Sequence, residues 1–354
     1  MCDFSGHEQP SAEWLALESQ IPPPPFSPSD TVEEKQAAGN AYREKNAAEA
    51  MKTLGPWVQT QDFTIPTRGG STVEARTYRP TGVNPSDGPL PVYLHLHGGG
   101  WLFGTLAGED ATCARIAINA RVVVLNVNYR HTPAHVYPTA WNDTEDAFRW
   151  LHENIAAIGG DAKRVVVGGI SAGGYLTASL VLQQHLGKAA ASLPRIAGQV
   201  LLIPSLSNMQ CYRYQLEHLK DESIWSWNTC KDAPILPRSM CEMFMGLLKV
   251  GEADPADARM NPGLARPEQV RGLPPTVFGI AGRDPLRDEG LLYAKKLADA
   301  GVATDVHMFS GLPHAFRQYG DKLSESKRWD RVIEEGILWT LSEPVAGGFE
   351  IKTQ

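Results

Sequence analysis

The stretch Arg164-Val165-Val166-Val167-Gly168-Gly169-Ile170-Ser171-Ala172-Gly173-Gly174-Tyr175 decides the fold. It opens with a short, wholly apolar β-branched run, the mark of a strand buried on both faces, and continues into a helical pattern from Ala172. Between the two sits Gly169-Ile170-Ser171-Ala172-Gly173, a G-x-S-x-G turn in the strand-to-helix context that the motif requires. A serine on so tight a turn holds strained backbone angles, and its neighbours two residues away must be small to avoid clashing. The turn lifts the hydroxyl clear of the sheet, and the helix N-terminus behind it favours developing negative charge. Ser171 is the candidate nucleophile.

Working outward, the same rhythm repeats. Strands are expected at Val92–Leu96, Val122–Val127, Arg164–Gly168, Gln199–Ile203, Thr276–Ile280 and Asp305–Phe309. The intervening helices are Asp110–Ala120, Ala140–Ala157, Ala172–Leu186 and Glu289–Ala300, with a last one over Ser324–Leu341. Alternation of this kind means a mostly parallel sheet covered on both faces. Ahead of it, Val58–Ile65 and Thr72–Tyr78 read as an antiparallel hairpin turning at Arg68-Gly69-Gly70-Ser71. A helix over Val32–Leu54 stops at Gly55-Pro56, and Pro22–Pro25 interrupts whatever precedes it. About seventy residues between Ile203 and Thr276 break the alternation and carry Tyr212, Tyr214, Trp225, Trp227, Met240, Met243 and Met245. So long a connection inside a compact domain is a lid or a subdomain.

Three further motifs fall at strand ends. His97-Gly98-Gly99-Gly100-Trp101 follows the strand Val92–Leu96. Acyl transfer passes through a tetrahedral oxyanion, which needs backbone N–H groups aimed at it with no side chain in the way; a glycine run supplies them and the Ala172 amide completes the hole. A phosphate cradle would continue into Gly-Lys-Ser/Thr rather than Trp101-Leu102-Phe103. Asp284 follows the strand Thr276–Ile280 and His314 the strand Asp305–Phe309, at the carboxyl ends where α/β sites gather. The order Ser171, Asp284, His314 is that of one triad lineage. Asp288 is the rival acid, read as helix N-terminal charge. Trp101, Ile170, Trp225 and Trp227 are candidate pocket walls.

On these residues, with Tyr129-Arg130 and Asp284–Gly290, the chain resembles the hormone-sensitive-lipase-like branch of the α/β-hydrolases, carboxylesterases and lipases, from about Pro91 to Leu341. The resemblance implies an eight-stranded sheet with helices on both faces and a helical cap. It divides the chain into a catalytic core, 57–204 and 261–354, and a cap, 1–56 and 205–260. It also implies oxyanion donors at Gly99, Gly100 and Ala172. Two departures stand out: family members carry Asp where this chain has Ile170, and Glu where it has Ala134. Both remove a carboxylate from the floor of the site, which bears on substrate preference and pH optimum. The expected reaction is ester hydrolysis on a small or medium-sized apolar ester, with no cofactor and no metal. An acyltransferase or cyclase using the same triad is the alternative, and a non-catalytic small-molecule receptor a third.

Composition narrows the rest. With 42% hydrophobic and 21% charged residues among 354, the chain can bury a large core. A formal charge of −7 offers nothing to nucleic acid or an anionic membrane. Arg68, Arg76 and Arg79 read as a solvated strand face. Cys2, Cys113, Cys211, Cys230 and Cys241 are odd in number and lack CxxC spacing, which suits free thiols in a reducing compartment. The N-terminus lacks a signal-peptide pattern. A cytoplasmic location is therefore expected, and family habit suggests a homodimer.

Overall fold

A computed structural model describes residues 1–83 and 88–354. In chain order it comprises α1 (Ala12–Glu18), α2 (Val32–Leu54), β1 (Val58–Thr67), β2 (Ser71–Pro80), β3 (Leu90–Leu96), α3 (Leu106–Ala120), β4 (Val123–Asn128), α4 (Thr139–Glu153), β5 (Gly160–Ile170), α5 (Ala172–His185) and β6 (Gly198–Leu202). There follow α6 (Ser226–Thr229), α7 (Arg238–Leu247), α8 (Pro267–Val270), β7 (Thr276–Arg283), α9 (Arg287–Asp299), β8 (Thr304–Pro313), α10 (Glu325–Leu341) and β9 (Ile351–Lys352).

The strands form one sheet in the order β1-β2-β4-β3-β5-β6-β7-β8-β9. β2 runs antiparallel to both β1 and β4, and every other pairing is parallel. This is the expected α/β-hydrolase sheet of eight strands with one addition. The ninth strand, two residues long, lies against Val306 and His307 of β8.

The apolar run of β5 sits at the centre of the sheet. Val165, Val166 and Val167 are fully buried, between β3 and β6. α2 has the bounds its sequence signals, because Thr31 and Glu34 close a capping box at one end and Gly55-Pro56 ends the other. The arginines of the hairpin are a solvated face only in part: Arg68 is exposed, while Arg76 and Arg79 are half-buried. Arg76 bridges Asp62 and Asp110, Arg68 pairs with Glu145 and Asp146 on α4, and Arg79 reaches the Gly159 carbonyl, so all three have cross-element partners. The five cysteines are free thiols, with Cys113, Cys230 and Cys241 buried. Among the described residues no helix is long and apolar enough to cross a membrane.

The segment between β6 and β7 is built of 3-10 helices, the longest over Met209–Glu217, and the short helices α6 to α8. The first eighteen residues run along the ends of β7 and β8. Trp14 is fully buried in the core that holds Phe309, Phe316 and Trp329, and a Cβ on Gly282 or Gly311 would strike the backbone of His7 or Gln9. α2 packs against α3 and the loop 98–105.

Candidate active site

Ser171 has φ 55° and ψ −113°, the strained geometry demanded of a serine turned out between β5 and α5. Its amide donates to the Leu202 carbonyl at 2.8 Å and its carbonyl accepts from Tyr175 at 3.0 Å, so both sides of the turn are tied down. The flanking glycines are sterically required. A Cβ on Gly169 would lie 2.3 Å from the Gly173 carbonyl carbon, and one on Gly173 would lie 1.9 Å from the Leu96 carbonyl oxygen.

His314 follows the last residue of β8. Its Nε2 lies 2.9 Å from Ser171 Oγ and its Nδ1 2.6 Å from Asp284 Oδ2. Only an Nδ1–H can donate to a carboxylate, which leaves Nε2 as the acceptor facing the serine hydroxyl. Asp284 is buried, and its second oxygen accepts from the Leu286 amide at 2.9 Å, so the carboxylate cannot rotate away from the imidazole. The three residues picked from strand ends thus form one hydrogen-bonded chain.

Asp288 stands in the first turn of α9, the helix N-terminal charge that its place in the sequence suggests. It is fully buried, accepts from Arg287 Nε at 2.8 Å and from the Ser226 amide at 2.7 Å, and so pins the start of α6 to α9. The rival acid turns away from His314 because a buried guanidinium and the Ser226 amide claim both of its oxygens.

Gly99 and Gly100 take left-handed backbone angles, φ 130° and 62°, which an L side chain rarely adopts. The first amides of α5, beginning with Ala172, have no acceptor within their own helix. A small cavity of about 30 Å³ is lined by Ser171, Ala172, Gly100 and Trp101 below, with Tyr212, Trp227, Leu236, Cys241, Phe244, Met245 and Leu286 around it. Of the predicted walls, Trp101 and Trp227 line it. Ile170 instead packs against Gly98, and Trp225 is buried with its indole N–H on Gln215. A larger cavity of about 280 Å³ lies at the far end of α5, near His185, Arg195 and Pro274, and contains none of the predicted residues.

Several groups around the site escaped sequence reasoning. Glu289, one residue past Asp288, accepts from the Leu206 amide at 3.1 Å and the Tyr212 hydroxyl at 2.9 Å, and burial pushes its pKa up to about 8. Behind the glycine loop, Glu109 accepts from Arg43 at 2.7 Å and pairs with His95 at 3.1 Å. Burial opposes its ionisation, but the His95 hydrogen bond and the Arg43 charge prevail and hold its carboxyl down to about 2. His97 stacks on Tyr129 with ring centroids 4.3 Å apart; burial first, and the neighbouring His131 second, push it well below the usual imidazole range. Only the pairing of distant residues in space reveals these contacts, and no spacing in the chain announces them. Among the described residues no three His, Cys, Asp or Glu side chains gather to hold a metal.

The family model described as the alpha/beta hydrolase fold matches residues 93–318. The carboxylesterase NlhH of Mycobacterium tuberculosis is 33% identical over 266 residues, 74% of this chain and 77% of the relative. The ethyl acetate hydrolase of Pseudomonas putida is 32% identical over 307 residues, 86% of this chain and 90% of the relative. The crystal structure of vibralactone cyclase superposes with a TM-score of 0.83 at 28% identity, covering 96% of each chain. The matched span holds the strand-ordered serine, acid and histidine, and the likeness extends across most of each relative, so the chain belongs to the alpha/beta hydrolase fold family.

Proposed function

We infer that the chain hydrolyses carboxylic esters by acyl transfer through Ser171, and that small acyl groups are its preferred substrates. The observation that carries the reading is the unbroken relay from Asp284 through His314 to Ser171, with spacings of 2.6 and 2.9 Å, beneath a left-handed glycine loop. Relatives named carboxylesterase and ethyl acetate hydrolase support the same chemistry.

In this mechanism the ester carbonyl enters the cavity over Ser171. His314 Nε2 takes the hydroxyl proton as Oγ attacks, and Asp284 stabilises the imidazolium that results. The carbonyl oxygen becomes an anion facing the amides of Gly99, Gly100 and Ala172, each worth roughly 3–4 kcal/mol to the transition state. The imidazolium returns its proton to the departing alcohol, leaving an acyl-serine. Water, deprotonated by the same imidazole, releases the acid and restores Ser171.

The acyl preference follows from the walls. Phe244, Met245 and Leu286 surround a cavity of only about 30 Å³ over Ser171, which leaves little room for a long acyl chain. The division into a core, 57–204 and 261–354, and a cap, 1–56 and 205–260, belongs to the same proposal. Its support is that α7 lies over the cavity.

A second reading, cyclisation or transfer in which an alcohol rather than water takes the acyl group, is favoured by the apolar lining of the cavity and by the superposition on a cyclase. One experiment addresses both. p-Nitrophenyl acetate, butyrate and octanoate are offered to the wild type and to Ser171→Ala at neutral pH, with and without a competing alcohol. Hydrolysis predicts turnover falling from acetate to octanoate and dropping by several orders of magnitude in the variant. Turnover that Ser171→Ala leaves intact overturns the mechanism, and ester rather than acid as the product with alcohol present favours transfer.

A further inference from the structure

The oxyanion loop must aim two glycine amides, and a peptide's N–H points wherever its carbonyl does not. In a trans peptide the two are antiparallel, so fixing the carbonyl of residue i fixes the N–H of residue i+1. The Gly99 carbonyl accepts from the amides of Leu102 at 3.1 Å and Phe103 at 2.9 Å, which sets the Gly100 N–H from within the loop itself. The Gly98 carbonyl, which sets the Gly99 N–H, has no such local turn. Its partners are His97 Nδ1 at 3.1 Å and Arg43 Nη1 at 3.1 Å, the second reaching in from α2, 55 residues away in the chain.

Arg43 is one of a row. Gln36 Nε2 donates to the Leu102 carbonyl at 2.6 Å, Asn40 Oδ1 accepts from the Gly104 amide at 2.8 Å, and Glu44 accepts from the Thr105 hydroxyl at 2.8 Å. Residues 36, 40, 43 and 44 lie on one helical face, and Gly39 on the same face is so close that a Cβ would come 2.7 Å from the Phe103 ring. Helices ordinarily dock through an apolar stripe. α2 has apolar contacts too, Val32, Met51 and Leu54 packing against the core, but toward the loop 98–105 it presents polar side chains, each spent on that loop's backbone or on Thr105. Arg43 is itself held by Glu109, which His95 of β3 holds in turn, so its guanidinium has a fixed seat.

The geometry points to Arg43 as a positioning residue for the oxyanion hole, with Gln36 and Asn40 completing a polar clamp through which α2 aims the Gly99 amide. The inference rests on the esterase reading of Ser171. Arg43 touches no reacting atom; it acts through the Gly98–Gly99 peptide.

The test compares wild type, Arg43→Met, Arg43→Lys and Asn40→Leu. Asn40→Leu removes a clamp contact without altering charge and keeps the question decidable if Arg43→Met does not fold. Three quantities are read: kcat and KM on p-nitrophenyl acetate, the inhibition constant of phenylboronic acid, whose tetrahedral serine adduct occupies the oxyanion hole, and hydrogen exchange of the 98–105 amides. A misaimed donor predicts kcat lower by about ten- to a hundredfold in Arg43→Met. KM should stay within about twofold, and boronate affinity should fall in step with kcat, because the donor serves the transition state and not the ground state. Arg43→Lys should recover much of the loss, Asn40→Leu should move the same way by a smaller factor, and the 98–105 amides should exchange faster in both damaged variants. Unchanged kcat, or a KM that rises while boronate affinity holds, overturns the assignment. A wild type without Ser171-dependent turnover overturns the esterase reading instead, and loop exchange still decides the clamp: unchanged protection in Arg43→Met and Asn40→Leu sinks it.

Discussion

The ring of Phe244 lies so close over Gly100 that a Cβ on the glycine would fall 2.3 Å from the Phe Cγ. One residue of α7 therefore roofs one residue of the loop beneath, and the space between is what an acyl chain must share. Phe244 is also in edge-to-face contact with Phe103, at 5.9 Å between centroids, so it does not swing freely. Phe244→Ala is expected to raise the octanoate-to-acetate ratio of kcat/KM by about tenfold or more, since each buried methylene gains roughly 0.8 kcal/mol. Rates across the p-nitrophenyl ester series give the answer, and an unchanged ratio would mean that another wall limits chain length.

The two neighbouring aspartates part company on mutation. Asp284→Asn leaves the imidazole in the wrong tautomer and is expected to cut kcat by about 10⁴-fold with little change in thermal stability. Asp288→Asn strips a buried partner from Arg287 and loosens α6, costing about 3 kcal/mol of stability. It should leave kcat within about tenfold. Thermal melts and initial rates on both variants separate the roles; equal kinetic losses would refute the assignment of the acid.

Glu289 makes stability depend on pH. Its folded pKa is raised to about 8 by burial, above the 4.5 of an ordinary glutamate. Between those values the unfolded chain releases a proton that the folded chain keeps, so stability falls as pH rises through that window, by up to about 1.4 kcal/mol per unit. Glu289→Gln mimics the protonated acid. Wild-type Tm is expected to drop from pH 6 to pH 9 more steeply than that of the variant, and parallel curves would show that Glu289 ionises normally in place.

Gly173→Ala is expected to be among the most damaging single-methyl changes in the chain, because the new Cβ would meet backbone rather than a movable side chain. A loss of about 3 kcal/mol or more should appear in denaturant melts. Near-normal stability would mean that the elbow relaxes far more than its packing implies.

The sheet and the triad were legible because their signals are local. A β-branched run, a glycine two residues either side of a serine, and an acid and a histidine just past strand ends can all be seen in windows of six residues. The end of α2 was legible for the same reason, through Gly55-Pro56, while the Thr31–Glu34 capping box at its start came only with the structure. What was not legible is relational. Asp288 was legible as helix-start charge, but not its burial or the Arg287 and Ser226 donors on its oxygens. Trp225 and Trp227 are two residues apart, yet one faces the cavity and the other Gln215, since single helical turns impose no period long enough to read. Arg43 resembles any arginine on a polar helix, and β9 is two residues beyond a Gly347-Gly348 pair.

That last strand has a consequence for how molecules of this chain meet one another. A parallel sheet ends at β8 with a row of unpaired backbone groups, which is a template for any other strand. Ile351 and Lys352 occupy part of that row, Lys352 is paired with Asp305 at 2.7 Å, and its carbonyl accepts from Arg328 at 3.1 Å. The chain thus serves as its own neighbour along this part of β8, at one of the two margins of the sheet, and association there would first have to peel the tail away.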